Sequence, residues 1–146
     1  MFLIDTNVVS ELRRPRPSLA VVAWLETVDE SELFLSAMTL GELQAGIELT
    51  RVQDLVKAAE IEGWLEQLAV AWNVLPLDGA VCRAWGRLMH RRSDTLLEDA
   101  LIAATALVHG LTVVTRNVAD FRTFGVSVFD PFKDSAYQSG TARRKR

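Results

Sequence analysis

Short apolar runs alternate with longer amphipathic segments along this chain. Five runs rich in apolar or β-branched residues predict strands, at residues 2–4, 33–35, 73–75, 112–115 and 126–129. Several of these runs are apolar throughout instead of alternating with polar residues. That pattern is typical of strands covered on both faces, as in a parallel sheet.

The segments between these runs carry apolar residues at helical spacing. Helices are predicted after Pro17, which a first helical turn tolerates, and from Thr39, which forms a capping-box pattern with Glu42. Further helices are predicted over residues 52–70, over 81–89 after a cap at Asp78, and over 101–108 before Gly110. Strands alternating with helices predict an α/β fold with a mainly parallel sheet.

The length of 146 residues and the 49% hydrophobic content suit one packed domain. We expect that domain to occupy residues 1–133 and a disordered basic tail to occupy 134–146. A single cysteine, Cys82, excludes an internal disulfide framework, and its apolar neighbours predict a place in the core. No apolar run is long enough to span a bilayer and the start lacks a signal-peptide pattern, so we expect a cytoplasmic protein.

The net charge of −3 understates how acidic the chain is before its basic end at residues 143–146, a part that we call the acidic body. Four of the sixteen basic residues lie at positions 143–146, so that twelve face nineteen acidic residues in the rest of the chain. An acidic body is not typical of a general nucleic-acid binder. A nucleic-acid substrate would therefore need local basic patches, or a cation that reverses the sign of an acidic site.

Polar residues lie where the predicted strands lead into helices. The positions concerned are Asp5, Glu42, Asp99, Asn117 and Asp120. In parallel sheets, ligands bind at the carboxyl ends of the strands, so these side chains are expected to meet there. Each acid taken alone also suits a structural role, as a turn former, a helix cap or a solvated charge. The functional interpretation depends on their combination.

Clustered carboxylates repel one another and favour a hard cation that takes oxygen ligands, such as Mg²⁺ or Mn²⁺. Such an ion activates water and stabilises charge on a phosphoryl group, which predicts phosphodiester hydrolysis. Other kinds of catalytic site need residues or motifs that this sequence lacks. There are only two histidines, no G-x-S-x-G motif and no glycine-rich nucleotide motif.

Four segments resemble the PIN-domain ribonucleases, and most closely the VapC-type toxins with their FitB-like branch. They are LIDTN at residues 3–7, TLGEL at 39–43, EDALIAATA at 98–106 and TRNVADF at 115–121. They occur in the family's order, and the resemblance covers about residues 1–132. It implies a three-layer α/β/α sandwich around a mainly parallel sheet of four or five strands.

The resemblance also implies an activity and its residues. The activity is that of a Mg²⁺- or Mn²⁺-dependent endoribonuclease that leaves 5′-phosphate and 3′-hydroxyl ends. Asp5, Glu42 and Asp99 match the family's three most regular acids and would bind the metal. Either Asn117 or Asp120 fills the fourth acidic position, and the sequence leaves this choice open. Asp120 is counted with the catalytic acids, and the supporting polar residues are Asn7, Thr115 and Asn117.

The resemblance further implies partners. VapC-type toxins pair with a VapB-type antitoxin and usually form homodimers, and some of the four tryptophans are candidates for those interfaces. Candidates for RNA phosphates are Arg13, Arg14, Arg16 and Arg116, each of which also suits a surface charge or an antitoxin contact. Two other functions stay open. One is a catalytically inactive PIN-like module that binds RNA or protein, favoured by Asn117, and the other is a single-strand DNA nuclease.

Overall fold

A computed structural model describes residues 1–133, and the fold is built on one five-stranded parallel sheet. The strands are β1 (Phe2–Ile4), β2 (Leu33–Ser36), β3 (Asn73–Leu75), β4 (Thr112–Val114) and β5 (Val128–Phe129). Their order across the sheet is β3-β2-β1-β4-β5. In the central strand, Leu3 is in register with Phe34 of β2 and with Val113 of β4. All five predicted strands are therefore confirmed.

Seven helices lie among the described residues. They are α1 (Thr6–Glu11), α2 (Leu19–Glu26), α3 (Ala37–Gln53), α4 (Leu55–Ala71), α5 (Gly79–Leu88), α6 (Leu97–His109) and α7 (Val118–Arg122). Two short 3-10 turns cover Glu30–Glu32 and Asp94–Leu96. None of the helices within residues 1–133 is long and apolar enough to cross a bilayer.

Neighbouring residues of a strand point to opposite faces of the sheet. In this sheet, apolar clusters cover both faces. Leu3 belongs to an apolar cluster with residues of α6 and α7, including Phe121. Ile4 belongs to a second cluster with residues of α1 and α2, including Val9 and Trp24. The predicted three-layer α/β/α sandwich is confirmed. The expected tail at 134–146 lies outside the described residues, and the boundary after residue 133 stays a prediction.

Two predicted helix starts are wrong by a few residues. Helix α3 begins after Ser36, whose hydroxyl accepts the Met38 N–H at 3.1 Å, so Thr39 is a buried helical residue and not the cap. Helix α2 is capped by Ser18, and Pro17 precedes the cap. The cap at Asp78 and the end at Gly110, with φ of 66°, are confirmed.

The long helix predicted over residues 52–70 is interrupted at Asp54. This residue has φ of −149° and ψ of 96°, ends α3 with its N–H on the Thr50 carbonyl, and caps α4 by accepting the Lys57 N–H at 2.9 Å. The two helices then pack against each other around Ile47 and Leu65. The prediction of a core Cys82 is also wrong, because α5 turns that residue to solvent.

Candidate active site

Asp5 stands at the carboxyl end of the central strand and is only 4% exposed. Its N–H donates to the Val114 carbonyl of β4 at 2.9 Å. Its Oδ1 accepts the Thr6 N–H at 2.7 Å and so caps α1, while Oδ2 accepts the Thr115 hydroxyl at 2.7 Å and the Asn7 amide at 3.3 Å. Hydrogen bonds to both of its oxygens therefore fix this carboxylate in place.

Thr6 connects Asp5 to Glu42. Its backbone N–H binds Asp5, and its hydroxyl donates to Oε1 of Glu42 at 3.2 Å. Glu42 is the sixth residue of α3 and is half-buried. Glu42 is thus an acid of this site and not the capping-box residue that its spacing from Thr39 suggests.

Asn117 connects the remaining acids. Its side-chain amide donates to Oδ2 of Asp99 at 3.1 Å and to Oδ2 of Asp120 at 2.9 Å. Its backbone N–H donates to the Thr115 hydroxyl at 2.9 Å, and that hydroxyl binds Asp5. A continuous chain of hydrogen bonds therefore runs from Glu42 through Asp5 to Asp99 and Asp120. We call these four residues the acid cluster.

The acid cluster raises its own pKa values. Burial is the largest cause for Glu42, followed by the charges of Glu98 and Asp5, and together they raise its pKa to about 7. Burial, followed by the charges of Asp5 and Asp120, raises the pKa of Asp99 to about 6. Burial also raises the pKa of Asp5, although the hydrogen bonds from Thr115 and Thr6 oppose the shift. The carboxyl groups are thus close enough to disfavour one another's ionisation.

This repulsion predicts a pH-dependent stability of the protein without metal. The pKa of Glu42 is raised from 4.5 to about 7 on folding. The contribution of Glu42 to the free energy of unfolding is therefore full below pH 4.5 and is lost as the pH rises through 7. We expect the Glu42→Gln variant in chelating buffer to melt above the wild type by a margin that grows across this range. Thermal unfolding at several pH values measures it.

The exposed Glu66 of α4 provides the matched control. Glu66→Gln makes the same chemical change outside the acid cluster, and its margin over the wild type should stay constant with pH. Equal pH profiles for the two variants would contradict the coupling.

The acid cluster offers only oxygen donors, as Mg²⁺ and Mn²⁺ prefer. Within residues 1–133, no three acidic, histidine or cysteine side chains form a complete ligand group. Mg²⁺ usually binds one or two carboxylates and keeps several waters, so a complete protein cage is not required. Asp5 and Asp99, with Glu42 beside them, therefore fit such an ion, and its charge would relieve the repulsion that raises their pKa values.

The four candidate arginines occupy different surroundings. Arg13 lies with its guanidinium 5.4 Å from the Trp64 ring centre and lines a groove of about 320 Å³ that includes Thr6 and Glu42. Arg14 and Arg116 lie 3.4 and 3.9 Å from the buried carboxylate of Glu11. Arg16 is exposed in the loop at residues 12–18. Among the four, Arg13 is the one that lines the groove next to the acid cluster.

Three residues of this region were not predicted from the sequence. Thr6 bridges two acids, Glu98 raises the pKa of Glu42, and Glu11 is a buried carboxylate that accepts the Ser18 N–H at 2.8 Å. Thr6 and Glu98 lie inside two of the four segments that carry the family resemblance. Each is the sequence neighbour of a predicted acid, Asp5 or Asp99, and that adjacency could have marked them as residues of the site. Glu11 carries no such signal, because its partners come from a loop and from the β4–α7 connection.

Comparisons with known proteins show the family and agree with the fold. The family model of the PIN domain matches residues 2–125. The chain is 36% identical over 141 residues to Toxin FitB of Neisseria gonorrhoeae, covering 92% of this chain and all of the toxin. It is 34% identical over 139 residues to the VapC ribonuclease Y4jK of Sinorhizobium fredii, covering 91% and 99%. The crystal structure of FitAcB from Neisseria gonorrhoeae superposes with a TM-score of 0.81 at 35% identity, covering 91% of this chain and 99% of that one.

Proposed function

Given that this chain belongs to the PIN-domain family, we propose that it is a metal-dependent endoribonuclease and the toxin of a toxin–antitoxin pair. The observation that carries the proposal is the acid cluster, in which hydrogen bonds join four carboxylates from distant parts of the chain. The relatives named as a toxin and as a ribonuclease support the substrate and the biological role.

The contacts of each residue indicate its role in the proposed reaction. Asp5 and Asp99 would hold the cation, and the bonds from Thr115 and Asn117 orient their carboxylates. Glu42, with its pKa near 7, would bind the cation or accept a proton from the attacking water at neutral pH. When bound, the cation activates water and neutralises charge that develops on the phosphoryl group.

Asn117 supports catalysis in this proposal and does not weaken it. Its amide donates to both Asp99 and Asp120, which places a neutral donor between two acids that would otherwise repel. Asp120 then serves as the fourth acid. The observation that favoured an inactive module, an asparagine at an acidic position, therefore has a role within an active site.

Metal dependence provides the direct test of the proposed activity. We expect the purified, antitoxin-free protein to cleave RNA with Mn²⁺ or Mg²⁺ and to stop when EDTA is added, because the acid cluster alone repels phosphate. Gel analysis of labelled RNA and of DNA of the same sequence measures cleavage and its preference. Titration calorimetry with Mn²⁺ measures binding separately.

The outcomes distinguish the remaining functions. Cleavage that persists in EDTA would contradict the metal mechanism, and faster cleavage of DNA would assign a DNA nuclease. The absence of both cleavage and saturable Mn²⁺ binding would leave a binding module.

We also propose a VapB-type antitoxin and a second copy of the chain as protein partners, and the cytoplasm as the place of action. An acidic body suits a basic antitoxin segment, and the relative named as a toxin supports a paired system. Expression of the chain alone should arrest growth, and co-expression of the neighbouring gene should restore it. Growth arrest that also occurs with an Asp5→Asn chain would contradict a nuclease toxin.

A further inference from the structure

A row of basic side chains lies on α5 and just after its end, outside the acid cluster. Arg83, Gly86, Arg87 and His90 are exposed at positions that share one face of a helix, and they line an open concavity of about 540 Å³. We call these four residues the α5 stripe. The opposite face of α5 packs through Val81 and Ala84 into the protein.

The α5 stripe is a local exception to the acidic body. Residues 79–93 include four arginines and no acidic residue. Within residues 1–133, the side chains of Arg83, Arg87 and His90 form no ion pair or hydrogen bond. Arg14, Arg51 and Arg116, in contrast, each lie beside a glutamate. The α5 stripe therefore offers positive charge that the described protein does not neutralise.

The position of α5 relates the stripe to the acid cluster. The indole N–H of Trp85 donates to the Leu97 carbonyl at 3.3 Å, and Leu97 begins the helix that carries Asp99. Just after α5, Arg92 donates to the carbonyl and hydroxyl of Thr123, the residue that ends α7. The carboxyl half of α5 is thus attached to the start of the helix that carries Asp99, and the loop after α5 is attached to the residue that follows the helix carrying Asp120.

We propose that the α5 stripe binds phosphates of the RNA outside the segment that is cut, an inference that rests on the proposed ribonuclease activity. A helix rises 1.5 Å per residue, so Arg83 and Arg87 are about 6 Å apart along the axis, and His90 follows just after the helix, which suits about two neighbouring phosphates. Unpaired arginines are well suited to phosphate oxygens. Gly86 leaves the centre open, since a Cβ built there would meet nothing within 4 Å.

The α5 stripe gives the acid cluster a means of holding a polyanion. An acidic pocket attracts a phosphodiester only through its cation, so affinity for a long RNA needs positive charge elsewhere on the surface. The consequence is a dependence on length. A long RNA contacts both the acid cluster and the α5 stripe, and a very short RNA contacts the acid cluster alone.

The test compares the full-length wild-type protein with the R83Q/R87Q and R83K/R87K variants. Fluorescence anisotropy in EDTA measures binding of labelled single-stranded RNAs of about 40 and about 6 nucleotides. R83Q/R87Q should weaken binding of the long RNA about tenfold at low salt and lower the salt slope by about 1.4, since each lost phosphate contact on a single strand removes about 0.7. In EDTA the short RNA should bind all three proteins only weakly, and with Mn²⁺ its KM should be equal in the three, because it reaches the acid cluster only through the cation.

R83K/R87K is the matched control, because it keeps the charge and should keep most of the affinity. In cleavage assays with Mn²⁺, R83Q/R87Q should raise KM for the long RNA and leave kcat and the melting temperature unchanged. An unchanged Kd and salt slope in R83Q/R87Q would overturn the proposal and point to an acidic protein segment or no ligand. Equal losses in R83K/R87K would also overturn it, because charge would then not be what is recognised.

The two proposals fail in different ways. If the wild type cleaves neither RNA with Mn²⁺ or Mg²⁺, the ribonuclease proposal fails whatever the binding data show. If the wild type cleaves both RNAs and the R83Q/R87Q variant matches it in binding and KM, only the proposal for the α5 stripe fails.

Discussion

The Asp5→Asn variant should lose about 10³-fold in the rate of RNA cleavage while remaining folded. Loss of one charge-stabilising group costs about 10²–10³ in kcat, and here the cation would also bind more weakly. Asparagine keeps an oxygen for the Thr6 N–H, so α1 keeps its cap. Removing a buried charge should leave the melting temperature of the metal-free protein equal or higher, because burial raises the pKa of Asp5.

Asp78→Asn is a matched control for this experiment. Asp78 also caps a helix, accepting the Val81 N–H at 3.0 Å, and it lies outside the acid cluster. Single-turnover cleavage by both variants, with thermal unfolding in parallel, measures the effect. If Asp5→Asn cleaves RNA as fast as Asp78→Asn, the carboxylate of Asp5 has no part in the reaction.

Thr115→Val should weaken Mn²⁺ binding by about 10–100-fold, the usual cost of removing a group that orients a metal ligand. Thr115 is fully buried, and its hydroxyl donates to Asp5 at 2.7 Å while accepting the Asn117 N–H at 2.9 Å. Valine has nearly the same shape and removes both interactions, together with the bond that the hydroxyl accepts from the Asn7 amide at 3.3 Å. Titration calorimetry measures the affinity, and saturating Mn²⁺ should restore most of the cleavage rate.

Thr105→Val separates this effect from a general loss of stability. Thr105 is also fully buried, and its hydroxyl donates to the Leu101 carbonyl at 2.8 Å on the helix that carries Asp99. Each substitution should cost about 1–3 kcal/mol in the free energy of unfolding, since each leaves a buried polar group without its partner. Equal Mn²⁺ affinities in the two variants would show that Thr115 does not orient Asp5.

The sequence predicted the strands well because each is a short run rich in apolar or β-branched residues, and the three central strands β2, β1 and β4 are largely buried. It also predicted which acids meet, because the carboxyl ends of parallel strands share one edge. Asp5, Glu42, Asp99 and Asp120 come from four parts of the chain, and the structure joins them through Thr6, Thr115 and Asn117. Their catalytic roles remain proposals for the experiments above.

Helix boundaries were harder to predict, for identifiable reasons. Apolar residues continue at helical spacing across Asp54, so the pattern does not show that one helix ends there and another begins. Ser36 serves both as the last residue of β2 and as the cap of α3, which makes Thr39 a misleading cap. Cys82 has apolar neighbours, but only one face of α5 packs against α6.

The position of Asp5 in the middle of the sheet has a consequence for synthesis of the protein. Asp5 is synthesised more than 100 residues before the strand that holds its N–H and the threonine that binds its carboxylate. A nascent chain that stops before residue 112 lacks both, together with Asn117 and Asp120. Fragments from interrupted translation therefore cannot assemble the acid cluster.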